Sequence, residues 1–128
     1  MKIGLTSIMV NDQDNALKFY TDILGFIKKQ DIPMGKHRWL TVASAEEPDG
    51  VQILLEPMEF EPSKTYQKAL FDAGIPINAF TVADIDAEYE RLNKAGVTFG
   101  MKPTLMGNVK VARLEDTCGN HIQLIQMV

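Results

Sequence analysis

The side chains that could do chemistry in this chain are few, and they lie inside or beside apolar segments. Its 128 residues include two histidines, His37 and His121, and one cysteine. The segments VQILLEP and HIQLIQ carry one further candidate each, Glu56 and Gln123. No glycine loop of the GxxxxGK or GxGxxG type is present. The chemistry available is therefore hydrogen bonding by an amide, proton transfer by a carboxylate or an imidazole, and apolar contact.

Glu56 and Gln123 each have two interpretations. Inside an apolar cavity, Glu56 could act as a general base, and it is the candidate catalytic residue. It also directly precedes Pro57, at a strand end where solvent would surround it. Gln123 either hydrogen-bonds a ligand or satisfies a hydrogen bond within the protein, since a buried amide needs a partner in both cases.

The other candidates for ligand contact also have structural alternatives. Trp39, the only tryptophan, offers flat apolar area to a planar ligand or packs in the core. His37 lies beside a glycine-containing turn. It could act as a proton shuttle near neutral pH, or it could be an exposed side chain without a role in binding. Met106 adapts to an irregular apolar shape, in a binding site or in a core. Arg113 either meets an anionic substrate or forms an ion pair with Glu115.

Alternating and helical patterns place these residues on a mixture of strands and helices. The predicted strands are 3–10, 26–32, 36–43, 51–57 and 75–82, followed by VTFG, VKVARLE and HIQLIQ. The predicted helices are roughly 13–24, 63–73 and 84–95. The first of these helices is capped by Asn11 or Asp12 and stops at Gly25. The order βαβββ therefore occurs twice, which predicts an α+β fold.

The second half of the chain repeats the first. Four positions have counterparts 72 residues later, three of them identical: Val10, Asp12, Asp14 and Leu17 correspond to Val82, Asp84, Asp86 and Tyr89. The segment 50–55 corresponds to 119–124, 69 positions later. An internal repeat predicts two similar modules. We expect a single domain with module one at about 1–57, a connection at 58–74 and module two at 75–128.

Two βαβββ units, the stretch VNDQDNALKFYTDILGF at 10–26 and the closing DTCGN at 116–120 resemble the vicinal oxygen chelate superfamily. This superfamily contains glyoxalase I, bleomycin-resistance proteins and extradiol dioxygenases. The resemblance covers nearly the whole chain. It implies curved four-stranded sheets around a cup-like cavity, with helices on the outer face. It also implies modules paired within one chain or swapped between two, and a homodimer is the expected assembly.

Strand alternation assigns the side chains that line the cup. The apolar residues of each last strand should meet the helices, which directs the alternate residues Gln52, Leu54, Glu56, His121, Gln123 and Ile125 into the cup. The first and third strands of module one direct Leu5, Ser7, Met9, His37, Trp39 and Thr41 the same way. From these positions, with Met106 as a methionine in or near a predicted cup-lining segment, we predict the following ligand-binding set: Trp39, Gln123, Glu56, His37, His121, Ser7, Leu54 and Met106.

Metal-dependent members of the superfamily place one ligand, usually His, Glu or Gln, on each of four strands. The resemblance puts these places at Leu5, Leu54, Ile77 and Gln123. Three of them carry hydrocarbon, and one amide cannot replace the three or more ligands that a catalytic divalent ion typically takes. We therefore expect neither a metal nor another cofactor. The alternative is a register slip that brings Glu56 and His121 close to Gln123.

Composition narrows the partners and the compartment. The net charge of −4 argues against nucleic acid and acidic membranes, which require a positive face. A single cysteine, Cys118, cannot form an intrachain disulfide, so a reducing compartment is expected. The N-terminal segment becomes polar at Asn11, too early for a signal peptide. We expect a cytoplasmic protein without membrane association.

Three functional hypotheses follow. The leading one is a glyoxalase-like and bleomycin-resistance-like protein that binds a small, partly apolar molecule in a metal-free cup. The alternative is an enzyme of the superfamily, a lyase, isomerase or dioxygenase, that works through a divalent metal or through Glu56 as base. The third is an interaction module without a ligand.

Overall fold

The computed structural model describes residues 1–128 and divides into two compact units, Met1–Lys64 and Thr65–Val128. The first unit contains β1 (Leu5–Val10), α1 (Gln13–Lys18), β2 (Ile27–Met34), β3 (His37–Ala43) and β4 (Gln52–Pro57). Helix α2 (Glu61–Asp72) begins before the boundary and continues into the second unit. The second unit then contains β5 (Asn78–Thr81), α3 (Ile85–Lys94), β6 (Phe99–Met106), β7 (Val109–Glu115) and β8 (His121–Met127).

Each unit is built on one four-stranded mixed sheet. The strand order is β1-β4-β3-β2 in the first sheet and β5-β8-β7-β6 in the second. In both sheets the first and last strands of the module pair in parallel, and the other pairs are antiparallel. The βαβββ order and the α+β class predicted from the sequence are confirmed.

The internal repeat holds at the level of strand register. Ser7 lies opposite Leu54 in the first sheet, and Ala79 lies opposite Gln123 in the second. These two pairs are related by the offsets of 72 and 69 found in the sequence. Positions related by the sequence repeat therefore occupy equivalent places on the two sheets.

The repeated aspartates cap the repeated helices. Asp12 accepts a hydrogen bond from the Asn15 backbone N–H at 3.0 Å, and Asp84 accepts one from the Ala87 backbone N–H at 3.1 Å. A side-chain acceptor at this position satisfies one of the free N–H groups at the start of a helix. The sequence left Asn11 and Asp12 open as the first cap, and the structure selects Asp12.

Apolar residues on alternate strand positions bury one face of each sheet beneath its helices. In the first unit Ile8, Leu40, Val42, Leu55 and Tyr20 are fully buried. In the second unit Ile85, Leu92, Leu114 and Ile122 form the corresponding core. The alternate side chains lie on the opposite face, which we call the open face of each sheet. On the second sheet α2 covers the part of this face that carries His121.

Several local features differ from the sequence prediction. Strand β6 (Phe99–Met106) starts and ends later than the predicted strand VTFG, 97–100. The first helix continues after Lys18 as a π-helical turn, Phe19–Ile23, in which the Leu24 N–H donates to the Phe19 carbonyl at 3.0 Å. Strand β5 is shorter than the predicted 75–82. Val51, expected among the helix-facing residues, is 43% exposed because β4 begins after it. None of the helices combines the length and the apolar composition needed to cross a bilayer.

Candidate functional site

A row of four side chains crosses the open face of the first sheet. Strand pairing aligns Ser7, Leu54, Thr41 and Gln30, one residue from each strand. Ser7 and Gln30 are exposed, Leu54 is 8% exposed, and Thr41 is fully buried. This face therefore presents an apolar centre with small polar groups at its sides.

Trp39 lies on the same open face, two residues before Thr41. Its indole is half-buried, and its Nε1–H donates to Gln30 Oε1 at 2.8 Å. The Thr41 hydroxyl likewise donates to Gln52 Oε1 at 2.7 Å. These bonds satisfy the polar atoms of both residues, so the indole offers its apolar surface and a fixed orientation to a ligand.

The two titratable candidates of the first unit lie at the end of this face. Glu56 is exposed and lies opposite Met9, so the solvated alternative considered for it is the one observed. His37 is half-buried and bonds the Glu59 carboxylate, which also pairs with Lys36 at 3.0 Å. The hydrogen bond from His37, followed by that from Lys36, holds the pKa of Glu59 below its ordinary value.

A surface depression of about 570 Å³ adjoins His37. Its wall includes Lys36, Arg38, Asp14 and Lys64. Arg38 is bonded to Asp14 and, at 3.0 Å, to Asp31, and these acidic groups raise the pKa of the guanidinium, most strongly through the Asp14 hydrogen bond. The charges around this depression already have partners, which leaves little unsatisfied chemistry there.

The corresponding row on the second sheet is more polar. Strand pairing aligns Ala79, Gln123, Arg113 and Met101. By the repeat offsets, Gln123 takes the place of Leu54 and Arg113 takes the place of Thr41. The two open faces therefore have the same backbone framework and different recognition chemistry.

His121 lies on this second open face, two residues before Gln123. It is 7% exposed, and its ring stacks on Phe71 of α2 with centroids 4.3 Å apart and an interplanar angle of 8°. Its Nε2 lies 3.1 Å from the Phe71 carbonyl oxygen. A carbonyl can only accept, so Nε2 carries the proton of the neutral ring and Nδ1 carries the lone pair. Nδ1 is buried and has no hydrogen-bond partner.

The turn before β8 fixes His121 beneath α2. The buried Asp116 carboxylate accepts hydrogen bonds from the backbone N–H groups of Cys118 at 2.8 Å and Asn120 at 3.0 Å. Gln67 of α2 donates to the Cys118 carbonyl at 3.2 Å and to Asn120 Oδ1 at 3.1 Å. Cys118 is buried within this network, and the polar contacts attach the helix that carries Phe71 to the start of β8.

The sequence left two alternatives for Arg113, contact with an anionic substrate or an ion pair with Glu115. Arg113 forms no ion pair with Glu115. Its guanidinium packs against two glycines, and a Cβ added at Gly74 or Gly100 would lie 3.6 Å or 3.0 Å from it. Its one polar contact is a long approach of 3.4 Å from Nη2 to the Gly100 carbonyl, and its Nε is buried without a partner. The pairing of β7 with β8 also sets Arg113 directly beside Gln123.

Met106 lies apart from both rows. It ends β6 at the hairpin turn that contains Gly107, and it is 57% exposed. Its repeat equivalent Met34 ends β2 beside Gly35 and is 60% exposed. Met106 is therefore a hairpin-end residue and not a member of the row around Gln123.

The donor set does not fit a glyoxalase-type metal. The positions that the family resemblance assigns to ligands hold Leu5 and Leu54 in the first unit, and Ile77 and Gln123 in the second. Both sheets keep the register expected from the sequence, and His121 Nε2 is engaged by a backbone carbonyl. No group of three or more His, Cys, Asp or Glu side chains is arranged to hold a metal ion. One amide oxygen falls short of the ligand number of a catalytic divalent ion.

The fold and the sequence together define the family. The model of the Glyoxalase/Bleomycin resistance protein/Dioxygenase superfamily matches residues 2–124. The chain belongs to this superfamily, as the sequence resemblance indicated.

Individual relatives differ in what is known of them. The chain is 56% identical over 126 residues to the uncharacterized protein YurT of Bacillus subtilis (strain 168), with 98% of this chain and 99% of that protein covered. It is 30% identical over 127 residues to a probable lactoylglutathione lyase of Synechocystis sp., with 94% and 92% covered. Among solved structures it matches TnmS3, an antibiotic binding protein from Streptomyces sp. CB03234, with a TM-score of 0.77, 26% identity and coverage of 100% and 97%.

Proposed function

We propose that this protein binds a small, partly apolar molecule through the open faces of its sheets and does so without a metal. The observation that carries the proposal is the chemistry of the family's ligand positions, where Leu5, Leu54 and Ile77 supply hydrocarbon and Gln123 supplies one amide. A site of this composition recognises shape, apolar area and hydrogen bonds.

The contacts available support this proposal. The half-buried Trp39 and the nearly buried Leu54 provide apolar area on the first sheet. The polar candidates are Ser7, Glu56 and His37 on the first sheet and Gln123 and His121 on the second. The similarity to TnmS3, an antibiotic binding protein, agrees with a binding role.

Trp39 fluorescence gives a direct test because the chain has one tryptophan. We expect planar aromatic compounds from a panel of antibiotics and metabolites to change this emission with saturation, in buffer containing EDTA. Saturable binding detected by calorimetry should accompany the optical change. A panel in which no compound produces either signal would count against the proposed function.

A second candidate function is a lyase or isomerase activity. It is favoured by the 30% identity to a probable lactoylglutathione lyase. The exposed Glu56 is the one general-base candidate for it. Assay of hemithioacetal isomerisation with added nickel or zinc, compared between the native protein and Glu56→Gln, separates the two functions. Turnover that requires the metal or Glu56 would replace the binding proposal.

We also infer that the protein works as a homodimer, as the family resemblance implies. Four apolar side chains at the hairpin ends are 51–63% exposed, and they support a contact with a second copy of the chain. They are Ile32, Met34, Leu105 and Met106. Light scattering after size-exclusion chromatography should give twice the mass of the chain. A single species of one chain mass across the micromolar range would refute the dimer.

A further inference from the structure

The open face of the second sheet carries a guanidinium, that of Arg113, which forms no ion pair. Arg113 is half-buried, and its Nε is shielded from solvent without a hydrogen-bond partner. Every salt-bridged arginine elsewhere in the chain has a carboxylate within 3.1 Å, as Arg38 has in Asp31 and Arg91 has in Glu88. The shielded Nε–H is a donor that needs an anionic or carbonyl oxygen as its partner. The Gly100 carbonyl at 3.4 Å supplies little of that.

A second unsatisfied polar atom lies on the same face. His121 is nine-tenths buried, and its Nδ1 has no partner. Because Nε2–H donates to the Phe71 carbonyl, the free Nδ1 of the neutral ring is an acceptor and requires a donor. Unsatisfied buried polar atoms are rare in native proteins, so two on one sheet face indicate a missing partner.

Strand pairing brings these groups within reach of one small molecule. Arg113 lies directly opposite Gln123, and Gln123 is two residues from His121 on β8. Directly opposite residues on one face have Cβ atoms about 5 Å apart, and diagonal neighbours are about 7–8 Å apart. Glu115, opposite His121, also lies on this face, and its carboxylate disfavours a ligand with two negative charges.

We propose that Arg113, Gln123 and His121 form a subsite for a monoanionic hydroxy acid. The guanidinium of Arg113 binds the carboxylate, the Gln123 amide lies beside it, and the lone pair of His121 Nδ1 accepts a hydrogen bond from the ligand hydroxyl. This inference rests on the proposed binding function and specifies the chemical class of its ligand.

The experiment compares 3-hydroxybenzoate with two probes that each differ from it by one group. Benzoate lacks the hydroxyl, and 3-hydroxybenzamide has a neutral amide in place of the carboxylate. Affinities are measured by NMR titration of the full-length protein. We expect 3-hydroxybenzoate to bind about tenfold more tightly than the neutral amide, since a charge-assisted hydrogen bond is lost in the amide. Benzoate, which lacks the hydroxyl, should fall between the two.

Substitutions assign the two preferences to their residues. Arg113→Met should abolish the preference for the acid over the amide, whereas the matched change Arg91→Met, on the exposed face of α3, should leave it intact. His121→Phe keeps a ring against Phe71, and it should abolish only the preference for 3-hydroxybenzoate over benzoate. The assignment would be overturned if Arg113→Met kept the preference for the acid over the amide and His121→Phe kept the preference for 3-hydroxybenzoate over benzoate.

The outcome also separates this inference from the proposed function. If aromatic compounds change Trp39 emission but 3-hydroxybenzoate binds no better than 3-hydroxybenzamide to the native protein, the hydroxy-acid subsite is wrong and the binding function stands. If no probe and no panel compound binds, both are wrong.

Discussion

Equivalent positions in the two modules carry different side chains, and this difference sets the chemistry of each open face. Leu54 and Thr41 in the first sheet correspond to Gln123 and Arg113 in the second. Thr41 is buried and internally bonded, whereas Arg113 has no strong partner. At these positions the open face of the first sheet is therefore mainly apolar, and that of the second sheet is more polar.

Replacing Gln123 by the residue of its repeat equivalent tests its role in binding. Gln123→Leu should weaken the binding of 3-hydroxybenzoate about fivefold to tenfold, because one net hydrogen bond contributes roughly 1 kcal/mol. NMR titration measures the affinity, and urea denaturation checks that the fold is retained. An unchanged affinity in a folded variant would assign Gln123 to structure alone.

The ion pairs of Glu59 predict a measurable shift in its titration. The hydrogen bond from His37, and then that from Lys36, lowers the pKa of this carboxyl from its ordinary 4.5. These contacts therefore stabilise the fold above pH 4.5, and the stabilisation is lost as the pH falls through the folded-state pKa of Glu59. In His37→Asn the pKa of Glu59 should rise toward the ordinary value. Carbon NMR of the carboxyl group measures it, and Lys36→Met, which removes the second hydrogen bond and its charge, should also raise the pKa. An identical pKa in native protein and His37→Asn contradicts the contact.

At the scale of the elements, the turn before β8 positions the second open face. The backbone of this turn places Gly119 at φ 98°, a conformation that favours glycine. Gln67 of α2 lies against it, and a Cβ at Gly119 would be 2.7 Å from Gln67 Oε1. Helix, turn and strand therefore pack closely at Gly119, where an added side chain would have to displace the Gln67 amide.

Gly119→Ala should therefore destabilise the protein. The left-handed conformation alone costs a non-glycine residue about 1–3 kcal/mol, and displacement of Gln67 adds to this. Urea denaturation measures the free energy of unfolding. Gly4→Ala is the control, since a Cβ there meets no atom within 4 Å, and it should change the stability little. Equal stability of the two variants would refute the role of the turn.

At the scale of the molecule, the sequence predicted the repeated architecture because its cues are local and occur twice. Alternating strands, helical spacing and the two offsets were sufficient for the βαβββ order and for the correspondence between the two modules. The π-helical turn at Phe19–Ile23 was not predictable, since its hydrogen bonds differ from those of an α-helix by one residue and the apolar spacing is nearly the same.

The candidate site was predicted less completely than the fold. Alternation gave the open-face positions of Trp39, Leu54 and Gln123, because side-chain direction follows from strand parity. The isolation of Arg113 depends on the distance to Glu115 and on close packing at Gly100, which no local pattern encodes. The exposure of Glu56 depends likewise on where β4 ends.

The most direct measurement is the affinity of 3-hydroxybenzoate or the best aromatic ligand for protein purified without a metal-affinity tag, before and after dialysis against EDTA, together with elemental analysis of the same samples. The proposed function predicts no stoichiometric metal and the same dissociation constant in both samples. The proposed function would be contradicted by a stoichiometric ion whose removal abolishes binding. The same ion should then also be absent from Gln123→Leu or Glu56→Gln.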